Sequence, residues 1–176
     1  MTDWQAVVGR HTALVWQTAY RLLGDYEDAD DCVQETFLAA LEISRRQPVR
    51  NWPGLLARLS TCRALDRLRQ RMRDEARREE PVGWSAVASA DAGPEQQARA
   101  AELCERLRAA LTELPPKQAE VVCLRCLNGL SYREIARELH INSAAVGRLL
   151  YRARARLREL LDPVVSAERR RSCHGK

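Results

Sequence analysis

Phenylalanine occurs once in these 176 residues, and lysine only twice, at Lys117 and Lys176. Aromatic residues make up 5% of the chain, so any core must be built almost wholly from aliphatic side chains. Runs of β-branched residues are missing as well, which removes the usual material of strands. No apolar stretch approaches the roughly 18 residues that a membrane-spanning helix needs. The first residues, Met1-Thr2-Asp3-Trp4, lack the basic-then-apolar pattern of a secretory signal. A cytoplasmic protein without membrane insertion is expected. The three histidines, His11, His140 and His174, are dispersed along the chain. No acid–base or nucleophile constellation can be seen, so no enzyme and no catalytic residue is expected.

Alanine, leucine, arginine and glutamate dominate instead, and they favour helix. The net charge of +5 points to a polyanionic partner. Nearly all of the basic residues are arginine, a bias that a GC-rich genome produces equally well. Six cysteines stand at 32, 62, 104, 123, 126 and 173, mostly on apolar faces of expected helices. Cys123 and Cys126 form a CxxC, but a zinc site needs two further ligands at comparable spacing, and the remaining ones are scattered. Buried, reduced thiols are expected, with no metal and no cofactor.

A first helix reads Trp4, Val7, Val8, His11, Leu14, Val15, Thr18 and Leu22 at a 3.6-residue period and stops at Gly24-Asp25. A second has Ala29, Cys32, Val33, Thr36, Phe37, Ala40 and Leu41 on one face, and Gln47-Pro48 breaks it. After a loop over 45–51, Pro53 suits the first turn of a third helix. That helix carries Leu55, Leu56, Leu59, Cys62, Leu65, Leu68 and Met72 inward, with a heavily basic face outward. Around Glu80 the periodicity dissolves into small and polar residues, a linker too long for a loop within one compact domain. Pro94 opens a fourth helix, in which Ala98, Ala101, Leu103, Leu107, Ala110, Leu111 and Leu114 are expected to pack. A fifth runs from about Lys117 to Asn128, stopped by Gly129. The expected fold is all-α, with two small helical domains (1–79 and 97–162) on a flexible linker (80–96) and a disordered tail (163–176).

The second domain contains a helix-turn-helix between Leu130 and Leu157. Ala136 is small where two helices cross, Val146 is apolar where the second packs on the first, and Asn142 stands where an N-cap is wanted. His140 occupies the turn position at which glycine is usual. The N-terminal part of such a second helix enters the major groove. Its exposed positions are Ser143, Ala144, Gly147, Arg148, Tyr151 and Arg152. An arginine aimed at guanine is the commonest specific contact. Arg154, Arg156 and Arg158 suit phosphate contacts and an ordinary solvated face equally.

A DNA reader alone leaves Asp31, Gln34 and Glu35 unexplained. They share one side of the second helix, at i, i+3 and i+4, while Phe37 points elsewhere. In isolation this is an acidic, soluble face. Together with the C-terminal module, however, Asp31-x-x-Gln34-Glu35-x-Phe37 resembles a hallmark of the extracytoplasmic-function (ECF) sigma factors, promoter-specificity subunits of bacterial RNA polymerase. The resemblance implies that Asp31, Gln34 and Glu35 dock on the β′ subunit of RNA polymerase core and that Phe37 packs inside.

Asp66-Arg67-Leu68-Arg69 matches the ending of that family's minus-ten segment. Cys62 and Ala57 depart from it, standing where many relatives have Asn and an aromatic. The residues implied for the minus-ten element are Trp52, Arg58, Cys62, Arg63, Asp66, Arg67 and Arg69. The match is stronger at Leu114-Pro115-Pro116-Lys117-Gln118, Gly129-Leu130-Ser131-Tyr132-Arg133-Glu134-Ile135-Ala136 and Tyr151-Arg152-Ala153-Arg154-Ala155-Arg156-Leu157. That domain is implied to read the minus-thirty-five element. The partners implied are polymerase core, through its β′ and β subunits, promoter DNA and an anti-sigma factor. Two other readings compete: a polymerase-independent helix-turn-helix regulator, and a thiol sensor built on Cys123 and Cys126.

Overall fold

The computed structural model describes residues 3–77 and 94–173, with side chains in 3–77 and 95–161. Those residues form seven helices: α1 (Trp4–Leu23), α2 (Tyr26–Arg46), α3 (Trp52–Glu75), α4 (Pro94–Thr112), α5 (Pro116–Cys126), α6 (Tyr132–Glu138) and α7 (Ser143–Cys173). No strand is present among them.

Side chains beside each start secure the N-terminal turns. Asp3 accepts from the Ala6 amide, Asp25 from Asp28 and Asn51 from Gly54. Each satisfies a donor that the first helical turn leaves orphaned, worth about 1 kcal/mol. Gly24 ends α1 in the left-handed region at φ 70°. Arg108 from α4 lies against it, within 2.7–2.9 Å of where a Cβ would stand, so the backbone favours glycine and a larger residue would also displace the Arg108 guanidinium.

α3 is the central element. It contacts α1 and α2 on one side, and α4, α5 and α6 on the other. Its buried residues include Ala57, Ser60, Thr61 and Ala64, small enough for neighbouring helices to approach closely. The expected division into an apolar inner and a basic outer face therefore does not hold. Leu55, Leu59, Cys62 and Met72 are only partly buried, and Arg58, Arg63, Arg67, Arg69 and Arg71 are partly covered as well.

The two halves share one core. Leu22, Leu23, Ala57, Leu65 and Leu68 cluster with Leu111, Val121, Leu124, Ile135 and Val146. A smaller cluster in the N-terminal half joins Val7, Val15, Phe37, Ala40 and Leu56, with Trp4 and Trp52 against it.

Three sequence expectations need correction. Leu103 and Leu107 are 42% and 39% exposed, because only the C-terminal part of α4 reaches the core, through Ala110 and Leu111. Cys126 is exposed rather than buried, so only one thiol of the CxxC belongs to the interior. The helix also does not end at Pro163, since α7 continues to Cys173. Ala167-Glu168-Arg169-Arg170-Arg171 has strong helix propensity, which suits that continuation. The expected linker lies outside the described residues except at 94–96, where α4 has begun.

Candidate docking face and nucleic-acid interfaces

On α2, Asp31, Gln34 and Glu35 are all exposed and lie along one stripe. Phe37 is 8% exposed and meets Trp4 edge-on, 6.2 Å between ring centroids. The face is not a free row of carboxylates, because arginines of α3 reach it from behind. Arg67 donates to Glu35 across 2.6 Å, and its other terminal nitrogen lies 3.4 Å from Asp28 and 3.6 Å from Asp31. Arg63 stands 3.9 Å from Glu35, and Arg71 pairs with Asp28 while donating to the carbonyl of Leu23. Glu35 foremost pushes the Arg67 guanidinium pKa up, against the opposing effect of burial.

The seven residues assigned to minus-ten recognition therefore do not make one surface. Arg63 and Arg67 turn toward α2. Arg58 and Cys62, one helical turn apart, face the C-terminal half. Arg58 donates to the backbone oxygen of Glu138 (2.9 Å) and lies 3.5 Å from the Glu120 carboxylate. Cys62 donates to that same carboxylate at 3.0 Å. Burial first, and Glu120 second, push the Cys62 thiol up to about 12. Asp66 is exposed and pairs with Arg69 at 3.3 Å. Trp52 packs on Trp4, 5.6 Å between centroids, which leaves it half-buried against the smaller core cluster.

In the C-terminal half, α6 and α7 meet through Ile135, Ala136, Val146 and Leu150, all buried. Asn142 caps α7 by accepting from the Ala145 amide at 2.8 Å. His140 has φ 52°, so this turn takes the left-handed conformation without glycine, at a cost of about 1–2 kcal/mol. α6 begins with a reciprocal cap in which Glu134's amide donates to the Ser131 hydroxyl and Ser131's amide to the Glu134 carboxylate. The Ser131-x-x-Glu134 spacing was the available sequence signal. On the outer face of α7, Ala144, Gly147, Arg148, Tyr151 and Arg152 line an open groove. Tyr151 is 78% exposed, and Ser143, Arg148 and Arg152 are exposed beside it. These side chains thus lie together on one exposed face of α7.

Two features escape the sequence reading. Trp16, Tyr20 and Tyr26 form an aromatic group at the α1–α2 junction, with Trp16 donating to Asp30 at 2.8 Å. Its signal was the i, i+4 spacing of Trp16 and Tyr20, which places two rings over one another on a helix. The second is a set of polar contacts between the halves. Asn128 accepts from Thr18 (2.7 Å) and donates to Thr61 (3.3 Å), Arg21 donates to Leu127, and Arg108 donates to Leu22. Contacts separated by 67–110 residues leave no local mark in a sequence.

Among the described residues there is no group of three or more potential metal ligands, and no helix is long and apolar enough to cross a membrane. Residues 7–79 match the model of sigma-70 region 2, and residues 104–157 match that of sigma-70 region 4. The chain is similar to ECF RNA polymerase sigma factor SigE of Mycolicibacterium smegmatis, 35% identical over 92% of this chain and 62% of that protein. It therefore spans about three fifths of that relative's length. ECF RNA polymerase sigma factor EcfG of Rhodopseudomonas palustris is 38% identical, over 81% of this chain and 76% of its own. Among solved structures, CnrH in complex with the cytosolic domain of CnrY superposes with a TM-score of 0.58 and 28% identity, covering 92% of this chain and 88% of that one. Sigma factor RpoE of Bartonella quintana, in complex with the anti-sigma factor NepR, gives a TM-score of 0.56 over 92% of this chain and 98% of that one. At 20% identity the latter speaks for the fold alone. The matches to sigma-70 regions 2 and 4, with 38% identity over three quarters of an ECF relative, place this chain in the ECF family of RNA polymerase sigma factors.

Proposed function

We propose that this chain directs RNA polymerase core to specific promoters and assists their melting, and that it catalyses nothing itself. One observation carries the reading. The chain combines an exposed acidic stripe (Asp31, Gln34, Glu35) with an exposed helix-turn-helix reading face (Arg148, Tyr151, Arg152). The stripe holds polymerase through its β′ subunit. Region 1–79 also takes up the melted minus-ten strand through Trp52, Arg58, Cys62, Arg63, Asp66, Arg67 and Arg69. Region 97–162 sets position on the minus-thirty-five element through Ser143, Ala144, Gly147, Arg148, Tyr151 and Arg152. Polymerase is a cytoplasmic machine, so the chain works in the cytoplasm. RpoE is solved with the anti-sigma factor NepR and CnrH with the cytosolic domain of CnrY, and an anti-sigma factor is a further proposed partner of this chain.

The test is transcription in vitro with core polymerase from the source bacterium on fragmented genomic DNA. New, discrete start sites that vanish with Asp31→Ala/Glu35→Ala are expected. No initiation, together with salt-resistant binding of the protein alone to two-fold symmetric sites, would replace this reading with that of an independent regulator.

A further inference from the structure

The groove on the outer face of α7 has an apolar lining between two cations. Ala144, Gly147 and the ring of Tyr151 supply the lining, and Arg148 and Arg152 stand along it. Gly147 is the residue that the fold does not explain. It lies inside α7, where glycine weakens a helix relative to alanine. Its φ is not among the positive ones of the chain, which are those of Gly24, Gly129 and His140. A Cβ at Gly147 would stand 3.8 Å from Cε2 of Tyr132, an ordinary contact, so the packing admits alanine as well. Tyr132 is held beside it by Arg125, whose guanidinium lies over the ring, 5.8 Å from the centroid. What the missing side chain does provide is bare backbone in the groove, open to close approach from outside.

We propose that this groove seats the 5-methyl group of one thymine of the minus-thirty-five element on the Gly147 backbone, between Arg148 and Tyr151, so that Gly147 determines specificity. The proposal rests on the promoter-directing reading above and adds to it which base is chosen and through which atoms. Base pairs present hydrogen-bonding groups along the floor of the major groove and a single apolar group, the thymine methyl. An apolar surface brought against that floor gains by covering the methyl. Against the edges of guanine, cytosine or adenine it would take polar atoms from water without giving them a partner, which costs free energy. The arginines beside it supply donors for guanine or phosphate and so hold the helix in register. A side chain at 147 would occupy the place of the methyl and keep the helix off the base edge.

The experiment measures binding of the assembled holoenzyme to a promoter found by transcription, with each thymine of the minus-thirty-five element replaced in turn by deoxyuridine. That replacement keeps the base pair and removes only the methyl. At one position wild-type binding is expected to weaken about fourfold, the worth of burying one methyl-sized group. In Gly147→Ala the ratio between thymine and deoxyuridine should fall toward one at that position and stay as in wild type at the others. Because each ratio compares two DNAs on the same protein, any change in helix stability cancels. Indifference of wild type to every methyl would overturn the proposal, and so would a response that survives unchanged in Gly147→Ala or an element without an A·T pair. Transcription on unmodified DNA decides the promoter-directing reading separately. Where the protein instead binds two-fold symmetric sites by itself, the thymines of those sites are replaced, and the same ratio judges the groove.

Discussion

Arg67 on α3 and Glu35 on α2 are joined by a 2.6 Å ion pair, and this links two surfaces that the sequence assigns to different partners. Glu35 belongs to the stripe proposed to hold polymerase, and Arg67 to the segment proposed to hold DNA. Their side chains are 49% and 27% exposed, so water and salt screen the pair and its contribution to stability is at most about 1 kcal/mol. Its larger consequence is geometric, since a guanidinium shared with Asp28 and Asp31 restricts the rotamers of the docking acids.

A double-mutant cycle of Glu35→Ala and Arg67→Ala, followed by urea unfolding, is expected to give a coupling of about 0.5–1 kcal/mol at low salt. The coupling should fall toward zero in 1 M salt, where the Debye length shrinks to roughly 3 Å. A salt-independent coupling would mean that packing of the arginine stem, rather than charge, links the two residues.

Arg148 and Arg152 stand exposed on the groove face of α7. Replacing Arg148 with alanine is expected to cost roughly 1–3 kcal/mol at one base position of the minus-thirty-five element and to relax preference there. Binding of the assembled holoenzyme to promoters varied at single positions measures this. A uniform loss over all sequences would reassign Arg148 to phosphate contact.

Burial pushes the thiols of both Cys62 and Cys123 up to about 12, with Glu120 adding to the effect at Cys62 and Cys126 at Cys123. Unfolded thiols titrate near ~8.5, so folding favours the protonated form. The stabilisation is complete below about pH 8.5 and is lost progressively as pH rises toward 12. Urea midpoints measured from pH 7 to 10.5 should therefore fall above pH 8.5, and less steeply in Cys123→Ala. Midpoints of wild type and variant that run parallel would remove Cys123 from the account.

Ser131 and Glu134 cap α6, which has only seven residues, so the first turn is a large share of that helix. Ser131→Ala is expected to destabilise the chain by roughly 0.5–2 kcal/mol. The Ser131 hydroxyl, with its amide next, also holds the Glu134 carboxyl below its ordinary value. That contribution is present above the unfolded pKa of about 4.3 and fades as pH falls. A smaller gap between wild type and Ser131→Ala at pH 3 than at pH 7 would show the reciprocal cap; an unchanged gap would leave only the serine half.

Local rules carried a large part of this molecule. Helix starts at Asp25, Asn51 and Asn142, stops at Gly24 and Gln47-Pro48, the burial of Phe37 and the exposure of Arg148 and Tyr151 all depend on neighbours a few residues away. Caps, proline and the 3.6-residue period act over that range, and they are written in the chain in order. The same information could not say what covers each face. An arginine such as Arg58 reads as solvated until Glu120 and Glu138, 62 and 80 residues away, close over it. A periodic pattern marks a face as apolar without naming the helix that packs there, and small residues such as Ala57, Ser60 and Ala64 give no sign that α3 is enclosed from two sides. Long-range pairing is set by how well whole surfaces fit and by the free energy of removing them from water together. That is why the two halves were legible one at a time, while the contact between them, with the division of α3 into one face for α2 and another for the C-terminal half, belongs to the tertiary structure.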